Sequence, residues 1–318
     1  MSGLSPRFAG VACGVGSGAL WGLVFLAPKL VPDASPLLMA VGRYLAYGLL
    51  ALMLVAPRWR RVTAALDSRA WLGLIWLSLV GNLVYFVLVV LGVHLAGVAA
   101  TALIVGMVPV AVTLWGLRDP DAAPLARLVA PLSLAVLSVV LIGHEALGRE
   151  GMGGDPRAIL LGLGCALGAL ACWSAFAVDN SRWLDRLPGV TAHDWSLLLG
   201  VATGALSLLL LPAAALVPGT GFGVDDLWTF AAVSAAVAFG ASILGNALWN
   251  RASQLLPLTL LGQMIVFETL FAFLYGFVFE QRWPTVLELI AVALMIVGVV
   301  WCVRAHAPVR EPLAEADR

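Results

Sequence analysis

Apolar segments of about twenty residues follow one another through almost the whole chain. Of its 318 residues, 62% are hydrophobic and 11% are charged, whereas soluble domains carry about 25% charged residues. A helix of about twenty apolar residues crosses the hydrocarbon core of a bilayer. We count ten such segments, at 9–29, 36–56, 71–92, 98–117, 125–143, 158–180, 194–216, 227–250, 258–279 and 285–303. The expected fold class is therefore an all-α integral membrane protein with ten transmembrane helices.

The two halves of the chain repeat weakly. A shift of 152 residues brings Gly10, Gly16, Ala19 and Trp21 onto residues of the same type, and a shift of 158 brings Gly42 onto Gly200. Because five spans form each half, the two halves insert with opposite orientations. Inverted repeats are a common plan of secondary transporters, which place the binding site between the halves. We expect two inverted five-helix repeats, 1–150 and 151–303, followed by a tail at 304–318.

Positive charges favour one orientation in the membrane. With the N-terminus inside, thirteen of the 18 Lys and Arg residues lie at cytoplasmic ends, namely Arg7, Arg58, Arg60, Arg61, Arg69, Arg118, Arg127, Arg182, Arg186, Arg251, Arg304, Arg310 and Arg318. The other side then holds the remaining five, Lys29, Arg43, Arg149, Arg157 and Arg282. Cytoplasmic loops are enriched in Lys and Arg. Both termini are therefore expected in the cytoplasm.

The segment Leu258–Phe279 carries a single ionisable residue. Glu268 is the eleventh of its 22 residues, and a carboxylate at mid-membrane costs about 2.5–3.5 kcal/mol on insertion scales. Helical spacing places Tyr275 on the same face. Such a residue faces a partner or a cavity, and burial favours its protonated form. Glu268 either couples transport to protons or stays protonated against a neighbouring helix.

Polar and aromatic side chains occur at similar depth in other segments. Arg43 lies about two turns into the second segment, where it either snorkels outward or binds a substrate carboxylate. Asn82 and Tyr85 share one face of the third segment, with Asn82 serving as interhelical glue or as a ligand group. Trp21 and Trp173, equivalent in the repeat, either line a cavity or pack in the core. These residues, with Glu268 and Tyr275, are the candidate site.

Two further patterns have structural explanations. Gly10, Gly14, Gly18 and Gly22 in the first segment, and Gly164 and Gly168 in the sixth, recur every fourth residue and allow close helix packing. Asn180, Asn246 and Asn250 lie near predicted helix ends, where solvation and capping account for polar side chains.

Several stretches in the same order resemble the EamA-type branch of the drug/metabolite transporter superfamily. They are GSGALWGLVF in the first segment, Pro36 followed seven residues later by Arg43, HLAGVAATALIVGMVPVAVTL with Pro109, and FEQRWPTVLELIAVALMIVGVV with Glu280 and Gly298. The resemblance covers about residues 9–303. It implies a ten-helix transporter with a central cavity, commonly exporting amino acids or other small metabolites. Where the second half of that family has a proline matching Pro109, this chain has Phe267 and Glu268.

Some functions are disfavoured by the residues present. The one lysine, Lys29, lies in no phosphate-binding loop, the histidines lack metal-ligand spacing, and the net charge of zero gives no reason to expect nucleic acid. We expect no cofactor, no metal and no enzymatic reaction.

The expected function is secondary transport of a small metabolite across the inner or plasma membrane by alternating access, with efflux as the expected direction. Its partners would be the small-molecule substrate, protons as a coupling ion, and the lipid bilayer. Two alternatives stay open, an intramembrane enzyme acting on lipid-soluble substrates and a non-transporting receptor or assembly subunit.

Overall fold

All regular secondary structure in the described part of the chain is helical. The computed structural model describes residues 6–116, 125–148, 155–187, 189–217, 219, 221–256 and 258–305. The α-helices are α1 Pro6–Leu30, α2 Pro36–Val55, α3 Trp59–Thr63, α4 Ser68–Ser78, α5 Tyr85–Val105, α6 Val108–Gly116, α7 Leu125–Gly148, α8 Pro156–Arg186, α9 Ala192–Leu216, α10 Leu227–Val237, α11 Asn246–Leu255, α12 Leu258–Met264, α13 Val266–Glu280 and α14 Val286–Ala305. Two π-helical segments connect consecutive helices, Leu79–Val84 between α4 and α5, and Ala238–Gly245 between α10 and α11.

Several of the helices begin where the sequence supplies a capping side chain. The Ser35 hydroxyl accepts a hydrogen bond from the Leu38 N–H at 3.1 Å, and Pro36 opens α2. Asp67 caps α4 by accepting from the Ala70 N–H at 2.7 Å, and Thr191 caps α9 by accepting from the Asp194 N–H at 3.0 Å. Each cap satisfies an N–H that the helix itself leaves without an acceptor. These polar residues therefore fix where the membrane helices start.

Eight helical stretches in the described residues are long and apolar enough to cross a membrane. They are Pro6–Leu30, Pro36–Thr63, Ser68–Val105, Arg127–Gly148, Pro156–Arg186, Ala192–Leu216, Val224–Leu255 and Val286–Arg304. The chain is accordingly a membrane-embedded, multi-pass helical protein. The predicted segment 258–279 is absent from this set, and 98–117 is included only as far as Val105, because neither forms one continuous helix. Of the residues used for orientation, Arg118, Arg149, Arg310 and Arg318 lie outside the described part of the chain.

The expectation of one helix through Leu258–Phe279 is wrong. The segment forms α12 and α13, separated at Ile265, where the Glu268 N–H bonds to the Ile265 carbonyl three residues back. A similar i to i+3 bond, from the Met107 N–H to the Ile104 carbonyl, separates α5 from α6. Pro109 follows the interruption between α5 and α6, whereas no proline lies in the turn after Ile265, where the local tightening alone interrupts the helix. Glu268 therefore lies in the first turn of a helix and not in the middle of one.

Helices from the two halves of the chain pack in pairs. α2 lies against α9, α5 against α8, α7 against α14, and α1 against both α13 and α11. At the α2–α9 crossing, a Cβ atom built on Gly48 would lie 2.6 Å from the Gly204 Cα. Since two backbones meet this closely, neither position has room for a side chain. The pairings surround a central space that the next subsection describes.

The glycine stripe of α1 packs as its spacing predicts. Cβ atoms built on Gly14, Gly18 and Gly22 would come within 2.7–2.9 Å of atoms in α12 and α13. In α8, however, a Cβ on Gly164 would meet no atom within 4 Å, and the close approach is at Gly162, 2.7 Å from the Leu95 Cβ. The spacing of every fourth residue is therefore wrong for Gly164, whereas Gly168 does pack, with a Cβ that would lie 3.2 Å from Leu88 Cδ1.

Candidate functional site

A cavity of about 360 Å³ lies among α1, α2, α5, α8, α9, α11 and α13, and it is lined by both π-helical segments. Six of the seven candidate residues line it, namely Trp21, Arg43, Asn82, Tyr85, Trp173 and Glu268. Among the described lining residues, Arg43 and Glu268 are the charged ones. Residues far apart in sequence thus converge on one polar space in an otherwise apolar bundle.

Arg43 on α2 is buried, with 8% of its surface exposed. Its guanidinium carbon lies 4.5 Å from the centre of the Phe86 ring and 4.9 Å from that of Tyr44. Nη2 donates a long hydrogen bond of 3.4 Å to the Ser242 hydroxyl, while Nε and Nη1 have no hydrogen-bond partner. Aromatic contacts stabilise the positive charge, but buried donors without an acceptor cost free energy. The aromatic rings therefore hold the guanidinium in place, while two of its nitrogens lack a hydrogen-bond acceptor.

Glu268 reaches the same cavity from the first turn of α13. A Cβ on Gly18 would lie 2.9 Å from the Glu268 backbone nitrogen, so the glycine of α1 lets this turn approach. In the described residues its carboxyl group forms neither a hydrogen bond nor a salt bridge, although it lies within Coulombic reach of Arg43. The two charged groups face one cavity without contacting each other.

Both π-helical segments contribute polar groups to the site. Asn82 lies in the first and donates to the Thr203 hydroxyl at 3.1 Å. Ser242 lies in the second, where its hydroxyl accepts from Arg43 and its carbonyl accepts from the Asn246 side chain at 2.8 Å. A π-turn changes which side chains face inward and is frequent at functional sites. Asn82 here bonds across helices, one of the two roles expected for it.

Aromatic rings form much of the cavity wall. Trp21 lies 5.2 Å from Trp249 between ring centres, and its Nε1–H donates to the Ala241 carbonyl at 3.1 Å. Trp173 lies 5.1 Å from Tyr85 and stacks on Phe176 at 4.8 Å. The matching tryptophans of the two halves therefore both line the cavity, and each belongs to an aromatic cluster.

Tyr275 is the candidate residue that does not line the cavity. Its hydroxyl donates to the Ala19 carbonyl of α1 at 3.1 Å, which joins α13 to α1. The helical spacing placed Tyr275 correctly on the same helix as Glu268. It could not show that α1 packs over this turn.

Sequence reasoning also missed several lining residues. Asn180, Asn246 and Asn250 were interpreted as solvated or capping groups, yet all three line the cavity. Tyr44, Tyr47 and Ser242 line it as well and were not singled out. The spacing of Asn246 and Asn250, one helical turn apart and flanking Trp249, was the available signal for a polar face turned inward.

The two ends of the bundle differ. The cavity extends toward the end where Leu184 and Ala192 lie, which the positive charges predict to be cytoplasmic. At the other end, Lys29 lies 4.0 Å from Glu280, which also pairs with Arg282 at 2.6 Å. Arg282 in turn bonds Glu288 at 2.8 Å. At the end that the cavity does not reach, these ion pairs therefore connect α1, α13 and α14 to one another.

The described residues contain no group of three His, Cys, Asp or Glu side chains that could hold a metal ion. The four cysteines are free thiols. Arg43, Glu268, the neutral amides, the hydroxyl groups and the aromatic rings of the lining are the groups with which this cavity can bind a solute.

No protein-family model matches the chain. A protein of known crystal structure shares the fold with a TM-score of 0.62 at 20% sequence identity. The match covers 93% of this chain and 96% of that protein's chain. The inner membrane protein YtfF of Escherichia coli (strain K12) is 32% identical to this chain over an alignment of 326 positions, gaps included. The alignment covers 97% of this chain and 99% of YtfF. Since this identity extends over nearly all of both proteins, the chain belongs to the family of the inner membrane protein YtfF.

Proposed function

We propose that the chain is a secondary transporter that moves a small metabolite across the inner membrane by alternating access. The observation that carries the proposal is the central cavity with Arg43 and Glu268 as its charged lining residues. Intramembrane ionisable residues are costly and mark substrate or ion pathways. In this proposal the chain is a carrier and performs no chemical reaction on its substrate.

Interrupted helices at the cavity support this function. α6 begins at Val108 and α13 begins beside Ile265, and both residues line the cavity. Transporters commonly build mid-membrane sites from discontinuous helices. With Arg43 in its lining, the site would suit a substrate that carries a carboxylate or another anionic group.

The ten-span inverted repeat forms part of the same proposal. Gly97, with φ of 90° and ψ of 165°, interrupts α5 and supports counting a separate fourth span. The packing of α1 with α11 is matched by that of α8 with the part of α5 before Gly97, where Gly162 of α8 meets Leu95 and Ala96, and α2–α9 and α7–α14 each pair equivalent spans. The two π-helical segments also fall in equivalent spans, the third and the eighth. These pairings are those expected of two halves related by an axis in the membrane plane.

We also propose membership of the EamA-type branch of the drug/metabolite transporter superfamily. The first-half stretches quoted above and the Glu280 to Gly298 signature favour it. The interruption at Ile265 provides, without a proline, the break that this branch has in its ninth span. The substrate would then be an amino acid or a related metabolite, with export as the expected direction and both termini cytoplasmic.

Flux through the purified full-length protein in proteoliposomes tests the transport function. We expect at least one solute from a panel of amino acids, nucleobases, sugars and aromatic acids to cross faster than in empty vesicles. If every solute moves at the background rate while the protein is folded and correctly inserted, transport is the wrong function. A stable stoichiometric partner on purification, or chemical turnover of a lipid-soluble compound, would then favour one of the two alternatives.

A further inference from the structure

We propose that the cavity binds a carboxylate anion at Arg43 together with one proton at Glu268, so that anion and proton cross the membrane as a neutral pair. The inference rests on the proposed transport function and adds to it a substrate class and a coupling rule. It concerns two groups that share a cavity without forming a salt bridge.

Arg43 has the features of an anion site that awaits its ligand. Nε and Nη1 are buried without a hydrogen-bond partner, and Nη2 has only the 3.4 Å bond to Ser242. The Phe86 and Tyr44 rings, 4.5 and 4.9 Å away, restrict the guanidinium. Charge-assisted bonds from a planar guanidinium to a carboxylate are strong and often bidentate. Because Nε and Nη1 are closed to solvent as well as unpaired, a ligand carboxylate would satisfy them once the guanidinium turns toward the cavity.

Charge balance links this anion to Glu268. In the empty cavity, the positive charge of Arg43 balances an ionised Glu268. Once a ligand carboxylate occupies Arg43, an ionised Glu268 would be a second negative charge in the same low-dielectric space, which is strongly unfavourable. Uptake of one proton from solvent by the Glu268 carboxylate removes that charge. The empty and the loaded cavity are then both neutral, and each can reorient without moving net charge.

Other titratable groups near the cavity cannot account for the uptake of this proton. Tyr85 on α5 and Tyr44 and Tyr47 on α2 line the cavity, but phenols ionise near pH ~10 and already carry their protons. Tyr275 on α13 bonds the Ala19 carbonyl. His94 on α5 lies against the Pro28 carbonyl at 3.2 Å, and Lys29 on α1 lies near Glu280. These last two groups belong to the end of the bundle that the cavity does not reach.

The proposed coupling predicts the direction in which anion affinity changes with pH. Because proton and anion bind together, acid must tighten anion binding, and anion binding must draw a proton from solution. An exchanger in which proton and substrate compete for one carboxylate gives the opposite sign. The same coupling allows export of an anion that accumulates in the cell, since it would leave with its proton.

The aromatic walls indicate which anions to test. Rings of Trp21, Trp249, Trp173 and Phe176 lie in the wall, and flat apolar bodies stack on such surfaces. Benzoate and phenylacetate are suitable probes because carboxylic acids of this kind ionise near pH ~4 and stay anionic from pH 5.5 to 8.5. Benzamide is the matched neutral probe that lacks the charge.

The test is isothermal titration of the purified full chain with benzoate and phenylacetate between pH 5.5 and 8.5, in buffers with different ionisation enthalpies. We expect at least one probe to bind, with affinity falling by up to about tenfold per pH unit at the alkaline end. Binding there should take up about one proton per anion, and benzamide should bind at least about tenfold more weakly. Affinity that is independent of pH, proton release on binding, or no binding of either anion would overturn the inference.

Two variants assign the proton to its residue. Glu268→Gln should bind the anion without proton uptake and without the pH dependence. Glu280→Gln removes a carboxyl group at the opposite end of the bundle and should retain the uptake of about one proton. Uptake that persists in Glu268→Gln, or disappears in folded Glu280→Gln, contradicts the assignment. Flux of uncharged solutes without anion binding would leave the transport function intact and reject only this inference.

Discussion

At the scale of single residues, the proposed function depends on two charged side chains in an apolar helical bundle. Arg43 and Glu268 come from different halves of the chain and line one cavity. The sequence marks each as unusual because ionisable side chains are rare within membrane segments. Neither position indicates by itself that the other is near. In the proposed function, each contributes to binding or coupling and not only to packing.

Glu268→Gln separates coupling from binding. The amide keeps the shape of the protonated acid but cannot titrate, so substrate binding and exchange should persist while proton-driven accumulation and its pH dependence disappear. Proteoliposome uptake with and without an imposed pH gradient measures both properties. A glutamate that is permanently protonated for structural reasons predicts the opposite, because glutamine would replace it without effect. Wild-type, pH-dependent accumulation by the variant would therefore remove Glu268 from the mechanism.

Arg43→Lys tests recognition by the planar guanidinium. Lysine keeps the charge but loses the paired donors, so affinity for a carboxylate substrate should fall by roughly 10- to 100-fold. Binding and transport are compared at matched protein levels in the membrane, with Arg43→Ala measured beside it. Normal transport by the lysine variant, together with misfolding of the alanine variant, would show that Arg43 is a structural residue.

At the scale of helices, glycine contacts and helix interruptions position these charges. Gly18 lets α1 cross α13 at the backbone of Glu268, and the interruption at Ile265 places that residue in the first turn of α13. The two π-helical segments turn Asn82 and Ser242 into the cavity. The site is therefore built from irregular parts of helices, where backbone geometry departs from the α-helical repeat.

Gly18→Ala should destabilise the protein and displace Glu268. The added Cβ would meet the Phe267 Cβ at 2.7 Å and the Glu268 nitrogen at 2.9 Å, and overpacking of this kind costs about 1–3 kcal/mol. Thermal unfolding in detergent and proton-coupled flux report the two effects.

The matched control for that variant is Gly164→Ala, also within a membrane helix. Its Cβ would meet no atom within 4 Å, and alanine raises helix propensity, so stability should stay equal or rise by up to about 1 kcal/mol. Equal melting temperatures for the two variants would contradict the close crossing of α1 and α13.

At the scale of the whole molecule, the two ends of the bundle are unlike. The cavity extends toward one end, and the contacts among Lys29, Glu280, Arg282 and Glu288 join helices at the other. A carrier that alternates must exchange these arrangements, with the charged contacts separating when the cavity opens to their side. The distribution of Lys and Arg predicts that the end reached by the cavity is cytoplasmic.

Labelling of introduced cysteines tests that orientation. Single cysteines replace Arg60, exposed on α3, or Trp283, 92% exposed between α13 and α14, in a background without Cys13, Cys165, Cys172 and Cys302. An impermeant thiol reagent added outside intact cells should modify only the cysteine at position 283, and permeabilised cells should show both. Equal external labelling of the two positions would overturn the predicted topology.

The class of protein and most of the candidate residues follow from the amino-acid sequence. Hydrophobicity along the chain predicts membrane helices because the bilayer requires long apolar segments with internally bonded backbones. A charged or amide side chain inside such a segment is conspicuous for the same reason. The positions of Arg43, Asn82 and Glu268 within apolar segments therefore identify them as candidates.

Which of these residues share a site depends on how the helices pack against one another. Tyr275 points to α1, while Asn180, Asn246 and Asn250 line the cavity. Helical spacing gives the face on which a side chain lies but not the helix that packs against that face. The interruption at Ile265 was not predicted because it consists of an i to i+3 hydrogen bond, and no proline marks its position in the sequence. The crossings that bring Arg43 and Glu268 together depend on contacts between helices from opposite halves of the chain, which no local pattern encodes.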